Sequence, residues 1–184
     1  MVKVLVSWSG GLDSTYLLYH HLKNTDYEIH AHHVKLLNHG GMLKRQLEAV
    51  ESINPILQKI RPFKFTQSVQ YALPLGDVFI SSIDCARICF KEEYDYLDVG
   101  WVKNDDGGDA EINLKMMKQV MSAINENDNY TTHQFTWRRP IKHITKQECW
   151  DGLPEEVREK IWCCRNEEIC GECFQCKEMK KITF

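Results

Sequence analysis

No stretch of this sequence holds the roughly 18 consecutive apolar residues that cross a bilayer. The opening Met1-Val2-Lys3-Val4-Leu5-Val6-Ser7 is too short an apolar run for a secretory leader. A soluble, cytoplasmic protein is expected. An excess of positive charge is also lacking. Against 23 Lys and Arg stand 26 Asp and Glu, a formal net charge of −3, which argues against a broad non-specific nucleic-acid surface. Low-complexity tracts, internal repeats and a linker able to divide two large domains are absent. What is there, 184 residues of which 43% are hydrophobic, suffices for one α/β domain with a proper core and a small appendage.

Short Val- and Leu-rich runs alternate with helical patterns. Strands are expected at Val2–Trp8, Glu28–Val34, Lys64–Val69, Tyr96–Trp101 and Thr132–Trp137. Helices are expected from Asp13, along Leu43-Leu47-Val50-Ile53, over Ser82–Tyr94, and along Ile112-Met116-Val120-Ile124. Pro55 should end or kink the second of these, since proline cannot donate the backbone bond. Thr145 with Glu148 forms a capping box for a fifth helix, and a further one is expected near Glu155–Trp162. Alternating strands and helices predict a doubly wound, mainly parallel five-stranded sheet. Residues 1–162 would form this α/β domain and 163–184 a cysteine-rich knob upon it.

Ser9-Gly10-Gly11-Leu12-Asp13-Ser14-Thr15 joins the first strand to the first helix. Open α/β sheets bind ligands at the carboxyl ends of their strands. Two glycines let backbone approach an anion, and the helix N-terminus supplies free N–H groups. Neither G-x-x-x-x-G-K-[ST] nor G-x-G-x-x-G is present. The loop resembles instead the S-G-G-x-D-S loop of the N-type ATP pyrophosphatases (PP-loop enzymes). That resemblance implies an adenine nucleotide α-hydrolase-like fold and cleavage of ATP between its α- and β-phosphates. Pro140 to Glu148 is similar to the P-x-x-x-x-[ST]-K-x-E segment of such enzymes, whose lysine, here Lys146, is thought to meet the phosphates.

Five of the eight cysteines lie between Cys163 and Cys176. In a reducing compartment such clusters more often hold metal than disulfides. Cys164, Cys170, Cys173 and Cys176 suit a structural tetrahedral Zn²⁺, with Cys163 an alternative first ligand. An iron–sulfur cluster also takes four thiolates; zinc is the preferred expectation.

The loop together with Trp162-Cys163-Cys164 and Cys170-Gly171-Glu172-Cys173-Phe174-Gln175-Cys176 resembles the 7-cyano-7-deazaguanine synthases, the QueC family. Pro74, Phe79-Ile80-Ser81 and Val99-Gly100 followed by Asp105 track it through the middle. The resemblance implies conversion of 7-carboxy-7-deazaguanine and ammonia, with ATP, to 7-cyano-7-deazaguanine. Its route runs through an acyl-adenylate, an amide and a second, dehydrating activation. Three segments depart from the family. Pro74-Leu75-Gly76-Asp77 stands for P-x-R-N, Asp109-Ala110-Glu111-Ile112 for the end of D-x-S-G-Y-P-D-C, and Val34-Lys35-Leu36-Leu37 for D-Y-G-Q.

Ser7, Ser9, Gly10, Gly11, Leu12, Asp13, Ser14 and Thr15 are the expected ATP site. Asp13, Lys146 and Asp105 are the expected catalytic residues, with Asp13 bracing the loop or holding Mg²⁺ and Asp105 or Asp106 meeting the second substrate or metal. His30, His32 and His33 are expected near the adenine pocket, and Trp8 and Trp101 at strand ends. ATP, ammonia and 7-carboxy-7-deazaguanine or a related carboxylate are the expected small-molecule partners, with homodimerisation open and neither membrane nor direct nucleic-acid binding. Two other readings remain: a tRNA-thiolating PP-loop enzyme, with Cys85 and Cys89 as sulfur carriers, and a non-enzymatic zinc-ribbon module.

Overall fold

The computed structural model describes residues 1–37, 42–71, 77–103, 110–126 and 133–183, the side chains of 110–113 excepted. Asp105, Asp106, Asp109, Pro74 and Thr132, with the side chains of Glu111 and Ile112, lie outside the described residues.

Five strands, β1 (Lys3–Ser7), β2 (Glu28–Leu37), β3 (Lys64–Tyr71), β4 (Tyr96–Val99) and β5 (Thr136–Arg138), form one sheet in the order β3-β2-β1-β4-β5. All four pairings are parallel. Each connection is therefore a crossover, and the helices cover both faces. Alternation along β1 divides the core: Val4 and Val6 join one apolar cluster and Leu5 the other. The first cluster holds α1 (Leu12–Asn24) and α2 (Met42–Ile60) against the sheet through Leu17, Leu18, Val50, Ile53 and Leu57. The second holds α3 (Asp77–Glu92) and α4 (Ala110–Asn125) through Ile80, Cys85, Cys89, Met117 and Met121. Three short helices follow: α5 (Lys146–Gly152), α6 (Glu155–Arg158) and α7 (Phe174–Met179). Among the described residues no helix is long and apolar enough to cross a membrane.

Four expectations shift. Pro55 does not end α2, which continues to Ile60. The carbonyl that proline leaves unpaired belongs to exposed Glu51, where water can replace the bond, while Ile53 and Leu57 anchor the opposite face. The buried stripe of α4 is one residue on from the expected one, at Met117 and Met121. β5 begins at Thr136 because Asn125 takes the backbone of Phe135: its Oδ1 accepts from Phe135 N at 3.3 Å and its Nδ2 donates to Phe135 O at 2.8 Å. α6 stops at Arg158, before the expected Trp162.

Sheet order reverses between β1 and β4, so the crevice above their carboxyl ends is the topological switch point where such sheets take ligands.

Candidate functional site

The loop from Ser9 to Ser14 sits at that switch point. Gly10 has φ +79, a left-handed conformation, and the Cβ that any other residue would add lies 3.0 Å from Val50 Cγ2. Gly100, just past β4, approaches α1 more closely still: a Cβ there would meet Ser14 N and Cα at 2.6 Å and Asp13 C at 2.8 Å. The two glycines thus fix the loop between α2 and β4. Within it, Ser9 N donates to Ser14 Oγ at 3.1 Å, the two hydroxyls lie 3.0 Å apart, and Gly11 N donates to Ser9 Oγ at 3.3 Å.

Beside the loop is a cavity of about 300 Å³. Ser7, Ser9, Gly11, Leu12, Asp13 and Ser14 form its floor. One wall is α3, with Asp77, Phe79 and Ser81, next to Met117 and Trp101. The facing residues come from the C-terminal segment: Lys146, Trp162, Cys163, Arg165, Phe174 and Gln175. The capping box places Lys146 as the first residue of α5, with Thr145 Oγ1 accepting from Glu148 N and Glu148 Oε2 accepting from Thr145 N. From there Lys146 Nζ donates to Asp13 Oδ2 at 2.9 Å and Gln175 Oε1 at 3.1 Å. Asp13 and Lys146, 133 residues apart, are thus paired at the cavity floor and mostly buried.

Some expected residues fall elsewhere. Thr15 is fully buried; its hydroxyl accepts from the Trp8 indole at 3.0 Å, and it does not line the cavity. Trp8 is accordingly a core residue, while Trp101 lines the cavity with the Arg139 guanidinium 5.3 Å from its ring centre. His30 and His32 are interior links between strands, not cavity groups. His30 meets the Tyr94 hydroxyl at 2.8 Å and Thr66 Oγ1 at 2.5 Å; His32 meets Thr66 Oγ1 at 2.7 Å and Ser68 Oγ at 2.9 Å. His33, on the other face, donates from Nδ1 to Trp8 O at 2.9 Å. Burial lowers the pKa of all three, that of His30 and His33 to about 4, so they are neutral. Cys85 and Cys89 are fully buried and burial pushes both thiols up, Cys85 to about 12. Neither is a nucleophile at neutral pH, which removes them as sulfur carriers.

Sequence reasoning missed Gln175 and Arg165, whose positions only the folded knob reveals. It also missed Asp98. This fully buried carboxylate takes two Arg138 bonds at 2.7 Å and His21 Nε2 at 2.8 Å, holding β5 and α1 to β4. Its apolar strand neighbours hid it.

The knob brings Cys164, Cys170, Cys173 and Cys176 together, with all four sulfurs within 4.8 Å of one another. Two separations are 3.6 and 3.9 Å. Bonds of 2.3 Å to one tetrahedral ion place sulfurs about 3.8 Å apart. In a four-iron cube each thiolate binds a different iron, so the sulfurs stand wider apart. The donor set therefore fits a single ion. Backbone N–H groups of Cys173 and Glu172 hold the Cys170 thiol down to about 6, as a thiolate ligand requires. Cys163 lines the cavity beside the loop and is outside this group.

Sheet order, loop and cavity define a doubly wound α/β fold with a cysteine cluster able to hold a metal ion at its C-terminal end. In particular, the chain superposes on the U34-tRNA thiolase NcsA from Methanococcus maripaludis, whose structure contains a 4Fe–4S cluster, with a TM-score of 0.59. The match covers 98% of this chain at 14% identity and 65% of the thiolase, so this chain spans somewhat less than two thirds of that protein. No protein-family model and no curated protein sequence matches.

Proposed function

We propose that this protein is an ATP pyrophosphatase that adenylates a carbonyl-type oxygen on a flat heterocyclic substrate. The observation that carries this is the cavity floored by Ser9, Gly11, Leu12, Asp13 and Ser14, with the Asp13–Lys146 pair at that floor. Serine hydroxyls and the free N–H groups at the start of α1 face the space where a triphosphate would lie. Lys146, held in place by Asp13 and Gln175, would offset charge growing on the departing pyrophosphate. Asp13 acts by positioning that lysine. Phe79, Trp101 and Trp162 supply ring faces for the acceptor.

The particular reaction we propose is that of the 7-cyano-7-deazaguanine synthases: adenylation of a 7-substituted deazaguanine on the way to the nitrile, with Asp105 at the acceptor end. Zn²⁺ held by Cys164, Cys170, Cys173 and Cys176 is the proposed metal, because their spacing suits one ion. It would staple the cavity wall and take no part in the chemistry.

The test is to supply MgATP with deazaguanine acceptors and measure nucleotide products. AMP and pyrophosphate are expected; ADP would reject the assignment. Ser14→Ala should abolish AMP formation while circular dichroism stays native, and Asp13→Ala should abolish it with a lowered Tm.

Thiolation of tRNA is a second reading, favoured by one observation besides the structural neighbour. A groove of about 610 Å³ beside β5 is lined by Lys118, Arg138, Arg139 and Lys142, and Arg139 also stacks on Trp101 of the ATP-side cavity. A tRNA gel shift that weakens steeply with salt would support it.

A further inference from the structure

The sheet has two outer strands, β3 and β5. Along an outer strand every second residue turns its N–H and C=O away from the sheet, a template for another strand. Proteins blunt such edges with short strands, charge, proline or a bulge. β5 follows that rule. It has three residues, and the groove beside it is lined by Lys118, Arg138, Arg139 and Lys142, with no carboxylate among the described residues. β3 breaks the rule. Its eight residues, about 26 Å of edge, pair with β2 in unbroken register, without proline or bulge. From Phe65 to Tyr71 it carries no charge. Apolar side chains are exposed along it: Val69 is 55% and Tyr71 64% accessible. By alternation these two share the sheet face of Phe65, which packs on the cluster of α1 and α2. α3 lies on the other face, where its Asp84 accepts from Ser68 Oγ and, at 2.8 Å, from Gln70 Nε2, and it exposes Ile83. Cations beside the strand are met within the chain, Lys64 by Glu92 and Arg87 by Asp84 at 3.3 Å.

We propose that the β3 edge is the interface of a homodimer, in which β3 strands of two copies pair antiparallel about a two-fold axis and continue one sheet into the other. A two-fold axis sets a patch against itself, so a patch with charge of one sign repels its own copy and an uncharged one does not. That condition selects a second copy of this chain as the occupant. Phe65–Tyr71 offers a neutral, self-complementary edge, on which an acidic or basic partner strand would find no counter-charge. The same condition excludes the β5 edge, where the cations of one copy would meet those of the other. With the axis at Ser68, Phe65 of each copy lies opposite Tyr71 of the other, an aromatic cross-strand pair, and the exposed Val69 and Tyr71 leave water. The proposal does not depend on the reaction proposed above, since β2 stands between this edge and the switch point of β1 and β4.

The experiment measures the solution mass of the intact protein by sedimentation equilibrium and light scattering. The parent should have twice the chain mass. Gln67 and Val69 are exposed, so Gln67→Lys and Val69→Lys should keep native circular dichroism and Tm. Each sets cations against one another across the axis and should raise the dissociation constant about tenfold or more. Mixing Gln67→Lys with Gln67→Glu should restore the dimer, which a merely structural effect of either substitution would not do. Thr136→Lys, the same change at the exposed start of β5, is the control and should stay dimeric. A parent that is monomeric at about 0.1 mM overturns the proposal. So do β3 variants that associate as tightly as the parent, a charge-swapped mixture that stays monomeric, or a Thr136→Lys protein that dissociates with them. Adenylation is read separately by the AMP assay, and none of these outcomes alters it.

Discussion

Replacing Gly100 by alanine tests whether the Ser9–Ser14 loop is held by backbone contact between β4 and α1. The added methyl would lie 2.6 Å from Ser14 N and Cα and 2.8 Å from Asp13 C. These are main-chain atoms at the start of a helix, so neither rotamer change nor side-chain swing relieves the overlap. Overpacking of this kind costs about 1–3 kcal/mol, and rigid neighbours place it at the upper end. For a chain of this size about 3 kcal/mol lowers Tm by about 6–12 °C. Separating α1 from β4 also moves Asp13 away from Lys146, so AMP formation should fall further than the remaining folded fraction explains. Gly152→Ala is the control. Its methyl also comes within 2.6 Å of another atom, but that atom is Cε2 of the half-buried Tyr16 ring, which can swing. Thermal melts of both variants, with AMP assays below their midpoints, decide it. A Gly100→Ala protein with parental Tm and activity would refute the reasoning.

Asp13→Asn and Lys146→Met should each abolish AMP formation and destabilise the fold, since removing one partner strands a buried charge at about 3–5 kcal/mol. In a double-mutant cycle the pair should show coupling of about 1–3 kcal/mol; additive losses would refute direct pairing. Purified protein should contain close to one equivalent of zinc, and Cys173→Ser should lose it together with thermal stability; four irons per chain would overturn the single-ion reading. Because burial holds His30 and His33 down to about 4 against about 6.5 when unfolded, the unfolded chain binds the extra protons. Their stabilisation is complete above about pH 6.5 and is lost as pH falls toward 4, about 3 kcal/mol for each. His33→Gln should therefore flatten the decline in stability between pH 7 and 5, measured by urea melts, and parallel slopes would count against it.

The glycine loop at the switch point and the four clustered cysteines could be read from sequence because each is local: Ser9–Thr15 spans one turn and Cys164–Cys176 thirteen positions. The parallel sheet followed from the alternation of strands and helices, while its strand order shows only in the fold. What escaped depends on partners far along the chain. Thr15 fits the loop motif, yet Trp8 claims its hydroxyl. Pro55 breaks a helix in isolation but not where the freed carbonyl meets water. His30 and His32 sit at alternate positions as ligands would, and only the Thr66 and Ser68 hydroxyls of β3 reveal them as neutral bridging groups. Gln175 reads as filler inside C-x-x-C, and only tertiary folding brings it to Lys146.

That last contact ties two fates together. Gln175 lies between two of the clustered cysteines, and Phe174 beside it helps enclose the cavity above the loop. A chain stripped of its ion would forfeit one side of the chamber as well as a distant tail. On the adenylation reading proposed above, ion occupancy would govern what fraction of molecules can accept ATP, and by reciprocity a bound nucleotide would raise affinity for the ion. Scarcity would leave a population split into competent and idle copies, not one in which every copy works at reduced pace.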